Sequence, residues 1–142
     1  MKNLILVIAA TALISLNVNG QTSKIVPVIV KTAFAQKFLK ATDVKWGKEG
    51  TKEWEAEFKM DGKAFSANFD NKGTWIETEY VITSKEIPTA VKATIEKDYA
   101  GYKMRESEIS ENSKGKIYEF ELVKGKTKVE VAFDVNGKII KK

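Results

Sequence analysis

Two stretches of the chain carry apolar residues at helical spacing, and each opens on a proline. In the first, Pro27 precedes Val30, Phe34 and Phe38, four residues apart, with Ala33 beside them. In the second, Pro88 precedes Val91, Ile95 and Tyr99. This spacing places the apolar residues on one face of a helix, and proline is tolerated where a helix begins because its missing N–H would be unpaired there. The spacing predicts a first helix that fades before Asp43 and a second that ends near Gly101, with Ser84 as its N-cap and Ile87 packing back onto Val91.

After each helical stretch the period changes to two. In EWEAEF, Trp54, Ala56 and Phe58 alternate with Glu53, Glu55 and Glu57; in IYEFEL, Tyr118, Phe120 and Leu122 alternate with glutamates. A turn follows, MDGK at 60–63 or VKGK at 123–126. Then Phe65, Ala67 and Phe69 alternate with polar residues, as do Val129, Val131 and Phe133. Alternation of this kind describes strands with one buried face. Weaker strands are expected through Val44 and Trp46, and from Met104 to Ile109, with last strands at Trp75-Ile76 and Ile139-Ile140. The extra residues in SENSKGK are expected to lengthen a loop.

The pattern predicts an α+β fold of two tandem copies, each a helix packed on an antiparallel sheet of about four strands. The copies are expected over residues 24–81 and 82–142, after a segment 1–20. That segment has Lys2, an apolar run from Leu4 to Leu16 and small residues near Val18-Asn19-Gly20. It reads as a cleaved signal peptide, since the run is too short for a span of about 20 residues. The mature chain is expected to start at Gln21 and to be periplasmic or secreted, with no stable membrane insertion.

FDNKG at 69–73 and FDVNG at 133–137 fall at matching places in the two patterns. Asp70 and Asp134 are expected to accept backbone N–H bonds across hairpin turns, and Gly73 and Gly137 to take the left-handed conformation. A calcium loop needs oxygen ligands at alternate positions and a closing Glu. Neither stretch supplies them, so no metal and no cofactor is expected.

Composition narrows the chemistry. The 142 residues include no Cys and no His, with a net charge of +5. Stability therefore rests on the core without disulfides, and the commonest acid–base group and metal ligand is missing. Arg105 is the only arginine, and lysines alternate with glutamates, so no nucleic-acid reader is expected. Ser84-Lys85 and Ser113-Lys114 sit in capping or turn segments, and the strand glutamates are expected to pair with lysines across a wet sheet face. No glycine-rich phosphate loop occurs. An enzyme is not expected.

The ordered set of IPTAV at 87–91, YEFEL at 118–122, FDNKG and FDVNG resembles the PepSY-like, beta-lactamase-inhibitor-like family of small exported proteins. The resemblance implies the helix-plus-sheet architecture. It also suggests, by analogy with protein inhibitors of beta-lactamase, a concave sheet surface that grips a partner. Those inhibitors are disulfide-bonded and this chain has no cysteine, so no inhibitory residue is carried over. Tyr99-Ala100 and Phe38-Leu39 also stand where related units commonly carry Tyr-Pro.

The expected function is an exported, non-enzymatic binding module, an inhibitor or sensor of another envelope protein. The alternative is an envelope structural protein that binds anionic sugar or lipid polymers. Protein-binding faces are anchored by exposed aromatic or apolar residues, and Trp46, Ile76 and Tyr80 are the candidates. If Asn71-Lys72-Gly73 forms a three-residue bulged loop, Trp75 lies opposite Phe69 in the core, and Ile76 and Tyr80 point to the other face. Another turn register reverses the two.

Overall fold

The computed structural model describes residues 25–140. The expected signal segment lies outside these residues. Two helices, α1 (Val28–Lys37) and α2 (Thr89–Asp98), are joined to seven strands. The strands are β1 (Thr42–Glu49), β2 (Glu53–Met60), β3 (Lys63–Asp70), β4 (Trp75–Val81), β5 (Lys103–Asn112), β6 (Gly115–Lys124) and β7 (Thr127–Phe133).

The strands form one antiparallel sheet in the order β1 to β7. This corrects the expectation of two tandem copies, each a helix packed on an antiparallel sheet of about four strands. After α2 the chain returns beside β4, and Tyr80 pairs with Ile109, Thr78 with Glu111 and Val81 with Glu108. That ladder satisfies backbone groups that two separate sheets would have left along exposed edges. Among the described residues, the expected last strand at Ile139-Ile140 does not form. Ile139 makes one bridge to Phe133, and the Ile140 N–H donates to the Ala132 carbonyl at 2.8 Å. The extra residues of SENSKGK lengthen strands and leave the turn short. β5 and β6 run ten residues each and are joined by Ser113 and Lys114 alone.

Both helices begin directly after their prolines. The Pro27 carbonyl accepts from Lys31 N–H at 3.2 Å, and the Pro88 carbonyl from Lys92 N–H at 3.0 Å. Proline itself is the N-cap of each helix. Ser84 does not cap α2. It lies in a separate turn in which the Glu86 carboxylate accepts from the Thr83 N–H and hydroxyl, both at 2.9 Å.

Both helices cover the same sheet face. Val30, Phe34 and Phe38 pack on Trp54, Ala56, Phe58, Ala67 and Phe69. Ile87 and Val91 pack on Ile109, Tyr118, Phe120, Leu122, Val131 and Phe133. The two clusters meet at Phe65 and Tyr80, whose ring centroids are 5.0 Å apart. Phe69, Phe133, Leu122, Val30 and Val91 are the largest side chains sealed from solvent.

The FDNKG and FDVNG turns are built alike. The Asp70 carboxylate accepts from Lys72 and Thr74 N–H at 2.8 Å each, and Asp134 from Asn136 and Lys138 N–H at 2.9 and 3.0 Å. The Thr74 and Lys72 bonds hold the Asp70 carboxyl below its ordinary value. Each turn leans on the start of a helix. Gly73 lies against the Ile29 carbonyl and Gly137 against the Ala90 carbonyl.

Candidate functional site

The opposite face of the sheet carries no helix, and its side chains follow from register. Because residues paired across strands share a face, Glu55, Asn68, Glu77 and Asn112 form one row across β2 to β5. Glu57, Ser66, Glu79 and Ser110 form the next. Further along, Val81, Glu108, Glu119 and Ala132 make a third row, and Glu106, Glu121 and Glu130 a fourth. β2 thus presents three glutamates and β4, β5 and β6 two each, while β3 between β2 and β4 presents Ala64, Ser66 and Asn68, with Asp70 at its end beside Glu53. A groove of about 820 Å³ runs over this region, lined by residues that include Lys45, Glu55, Glu57, Lys59, Ser66, Glu79, Val81 and Glu108.

This face is acidic although the whole chain carries +5. The expected glutamate–lysine pairing is seen over β5 to β7. Lys128 Nζ lies 2.6 Å from Glu121 and 3.2 Å from Glu130, and Arg105 Nε lies 3.6 Å from Glu121. Its two carboxylate contacts hold the Lys128 ammonium above its ordinary value. Over β2 to β4, register sets the glutamates beside Ser66 and Asn68 instead of lysines. Ser110 donates to Glu77 at 3.1 Å. Burial raises the Glu55 and Glu108 carboxyls above their ordinary value, and like-charged neighbours add to it: Glu49 and Glu57 for Glu55, Glu106 and Glu119 for Glu108. Like charges side by side on a sheet are destabilising, and local rules of this kind are broken mostly at functional or strained sites.

The three residues singled out from the sequence do not gather on this face. Trp46 packs edge-on against Phe34 under α1, with centroids 5.2 Å apart. Trp75 does pair with Phe69, but an irregularity after that pair inserts one residue, so Thr78 falls opposite Ala67. A bulge of this kind shifts every following side chain to the other face. Tyr80 therefore lies on the helix side, against Phe65, and not on the outer face as expected. Ile76, half-buried, is the extra residue at the bulge.

Tyr80 also lines a smaller cleft of about 500 Å³ on the helix side, with Lys37, Phe38, Phe65 and Trp75. The Lys37 ammonium stands over the Trp75 ring, 3.6 Å from its centroid, and the Trp75 indole N–H donates to Thr78 Oγ1 at 2.9 Å. Within this lining Lys37 and Trp75 are thus already paired with each other. The signal for the acidic face was present in the sequence as a recurring Glu-x-Glu, at 55–57, 77–79, 106–108 and 119–121.

Comparison with known proteins places this geometry. The model of a family described as putative beta-lactamase-inhibitor-like, PepSY-like matches residues 51–141. Among solved structures, a DUF2874 family protein from Bacteroides uniformis superposes with a TM-score of 0.75 at 24% identity, covering 81% of this chain and 86% of that one. A BLIP-like protein from Bacteroides fragilis gives 0.71 at 23% identity, covering 80% and 82%. A protein from Bacteroides eggerthii described as a putative periplasmic protein gives 0.75 at 17% identity, covering 82% and 87%. These likenesses show the fold. No curated protein matches the chain. Among the described residues, no helix is long and apolar enough to cross a membrane.

Proposed function

The chain belongs to the putative beta-lactamase-inhibitor-like, PepSY-like family, and from that premise we propose that it is an exported, non-enzymatic binding module. In this reading it holds another protein of the cell envelope, as inhibitor or sensor, on the helix-free face of its sheet. The observation that carries the reading is the division of labour between the two faces. One is consumed by α1, α2 and their aromatic clusters, while over the other runs an open groove of about 820 Å³ rich in charged side chains. The likeness to structures described as BLIP-like and periplasmic agrees with it. A chain without His or Cys also lacks the commonest general base and the thiol nucleophile.

The polymer-binding alternative draws on the net charge of +5. The glutamates of the free face would repel an anionic polymer there, which confines that reading to the helices and turns.

The test is affinity capture from envelope extract with the chain from Gln21 onward. One defined protein retained at stoichiometric amount is the expected result. Recovery of anionic polymer with no protein partner would overturn the proposal.

A further inference from the structure

We propose that the outer side of α1 rests on an anionic lipid surface, its exposed aliphatic side chains entering the headgroup layer and the lysines beside them meeting the lipid phosphates. This goes beyond the reading above and does not depend on it. Because α1 covers one face of the sheet, contact through α1 leaves the helix-free face turned away from the lipid.

The two helices give an internal comparison. Both start at a proline and bury one side on the sheet. With about 3.6 residues per turn, burial of Val30 and Phe34 sends Val28, Thr32 and Ala35 outward on α1, with Ile29 and Gln36 beside them. All five are exposed and none is charged. The matching places on α2 hold Thr89, Ala93 and Glu96, with Ala90 and Lys97 beside them. α2 thus carries charges on its outer side, as a helix facing water does, and α1 does not. Ile25 and Leu39 extend the apolar stretch just beyond the two ends of α1. Ile25, Leu39 and Val28, at 87%, 85% and 79% exposure, are the three most exposed large apolar residues among those described.

Charge selects the occupant. From residue 21 to residue 42 the sequence carries four lysines, Lys24, Lys31, Lys37 and Lys40, and no Asp or Glu. The matching stretch from 82 to 103 sets Glu86, Glu96 and Asp98 among its lysines. Lys31 flanks the apolar line of α1 on one side. On the other, the FDNKG turn leans on Ile29 and Ala33 and brings exposed Lys72 alongside. Two carboxylates also come near: Asp61, 4.0 Å from Lys40, and Asp70, which accepts from N–H groups of its own turn. The lysines outnumber them. A second copy of the chain fits less well, because pairing two α1 segments about a two-fold axis sets lysines against lysines. Protein interfaces are anchored by aromatic and arginine residues. This patch holds aliphatic side chains with lysines at its flanks, the pattern of a helix lying on an anionic lipid surface. The helix is only about 15 Å long, so the contact is reversible and superficial.

The experiment uses the chain from Gln21 onward with vesicles of phosphatidylglycerol and phosphatidylcholine in equal parts, and with vesicles of phosphatidylcholine alone. Co-sedimentation reads binding. Because the chain has no cysteine, an environment-sensitive dye can be attached at one place, through Ala35→Cys on α1 or Ala93→Cys on α2. The mixed vesicles are expected to bind the protein and to shift the dye at position 35 to the blue, with little change at position 93. Binding should weaken at least about tenfold from about 0.02 M to about 0.2 M salt. Lys31→Gln should weaken it roughly fivefold, the worth of one lysine at an anionic surface. The triple variant Ile25→Gln, Val28→Thr, Leu39→Ala should weaken it at least about tenfold, through lost apolar burial. All four side chains are exposed, and far-UV circular dichroism reports whether each variant is folded.

Equal binding to phosphatidylcholine vesicles, no binding to either kind at low salt, or a larger shift from position 93 would overturn the inference. So would unchanged binding by the folded triple variant. A blue shift at position 35 that grows with protein concentration in the absence of vesicles would overturn it in favour of a second copy. If the vesicles do not bind while envelope capture still finds a protein partner, the binding-module reading stands and the lipid inference falls.

Discussion

Gly137 approaches Ala90 so closely that a Cβ on the glycine would stand 2.5 Å from the Ala90 carbonyl oxygen. Gly137 also has φ +77°, in the left-handed region. The turn after β7 is thus wedged against the start of α2, and the turn after β3 is wedged against α1 in the same way. There a Cβ on Gly73, φ +82°, would meet the Ile29 carbonyl oxygen at 2.9 Å.

Gly137→Ala and Gly73→Ala should therefore both destabilise. The left-handed conformation alone costs a residue with a Cβ roughly 1–2 kcal/mol, and the close backbone approach adds to that, more at Gly137. Gly62→Ala, with φ +79° and nothing within 4 Å of the new Cβ, pays only the first cost. Urea denaturation should rank the losses Gly137, then Gly73, then Gly62. Equal losses at all three would contradict the wedge.

A single sheet also predicts a single transition. Phe69 and Phe133 are fully buried in different clusters, one under each helix. Replacing either with alanine should cost about 3–5 kcal/mol. Each variant should still unfold in one step by both fluorescence and far-UV circular dichroism, because β4 and β5 join the halves. A two-step curve in Phe133→Ala, with the Phe69 half melting later, would argue for independent units.

The acidic face sets a pH dependence. Glu55 and Glu108 hold their protons more tightly folded than the 4.5 of an ordinary glutamate, through burial and then their neighbours' charge. A raised folded pKa contributes stability that is fully present below the unfolded value and is lost as pH rises through the folded one. Glu55→Gln and Glu108→Gln should therefore raise the melting temperature relative to wild type at about pH 7. That advantage should shrink toward zero by about pH 4. A loss at neutral pH, or a gain that does not change with pH, would contradict this electrostatic account.

Much of the buried side was legible. Trp54, Phe58, Phe69, Tyr118, Phe120 and Phe133 could be placed inward because period-two alternation survives burial of one face. The prolines placed both helix starts. The sheet's continuity was not legible, since pairing of β4 with β5 depends on contacts far apart in sequence. Nor was the face of Tyr80, because one inserted residue at Ile76 reverses everything after it. The glutamates were visible as residues but were read as partners for lysines. Only the register shows that Ser66 and Asn68, and not lysines, lie between Glu55, Glu57, Glu77 and Glu79.

The central claim is that the helix-free face, and not the helix face, is where a partner sits. The most direct test places a photo-crosslinking side chain at Ser66 in the middle of β3, or at exposed Ala93 on α2, and exposes each protein to envelope extract. The account predicts one protein crosslinked from position 66 and none from position 93. A partner crosslinked from position 93 alone would contradict it.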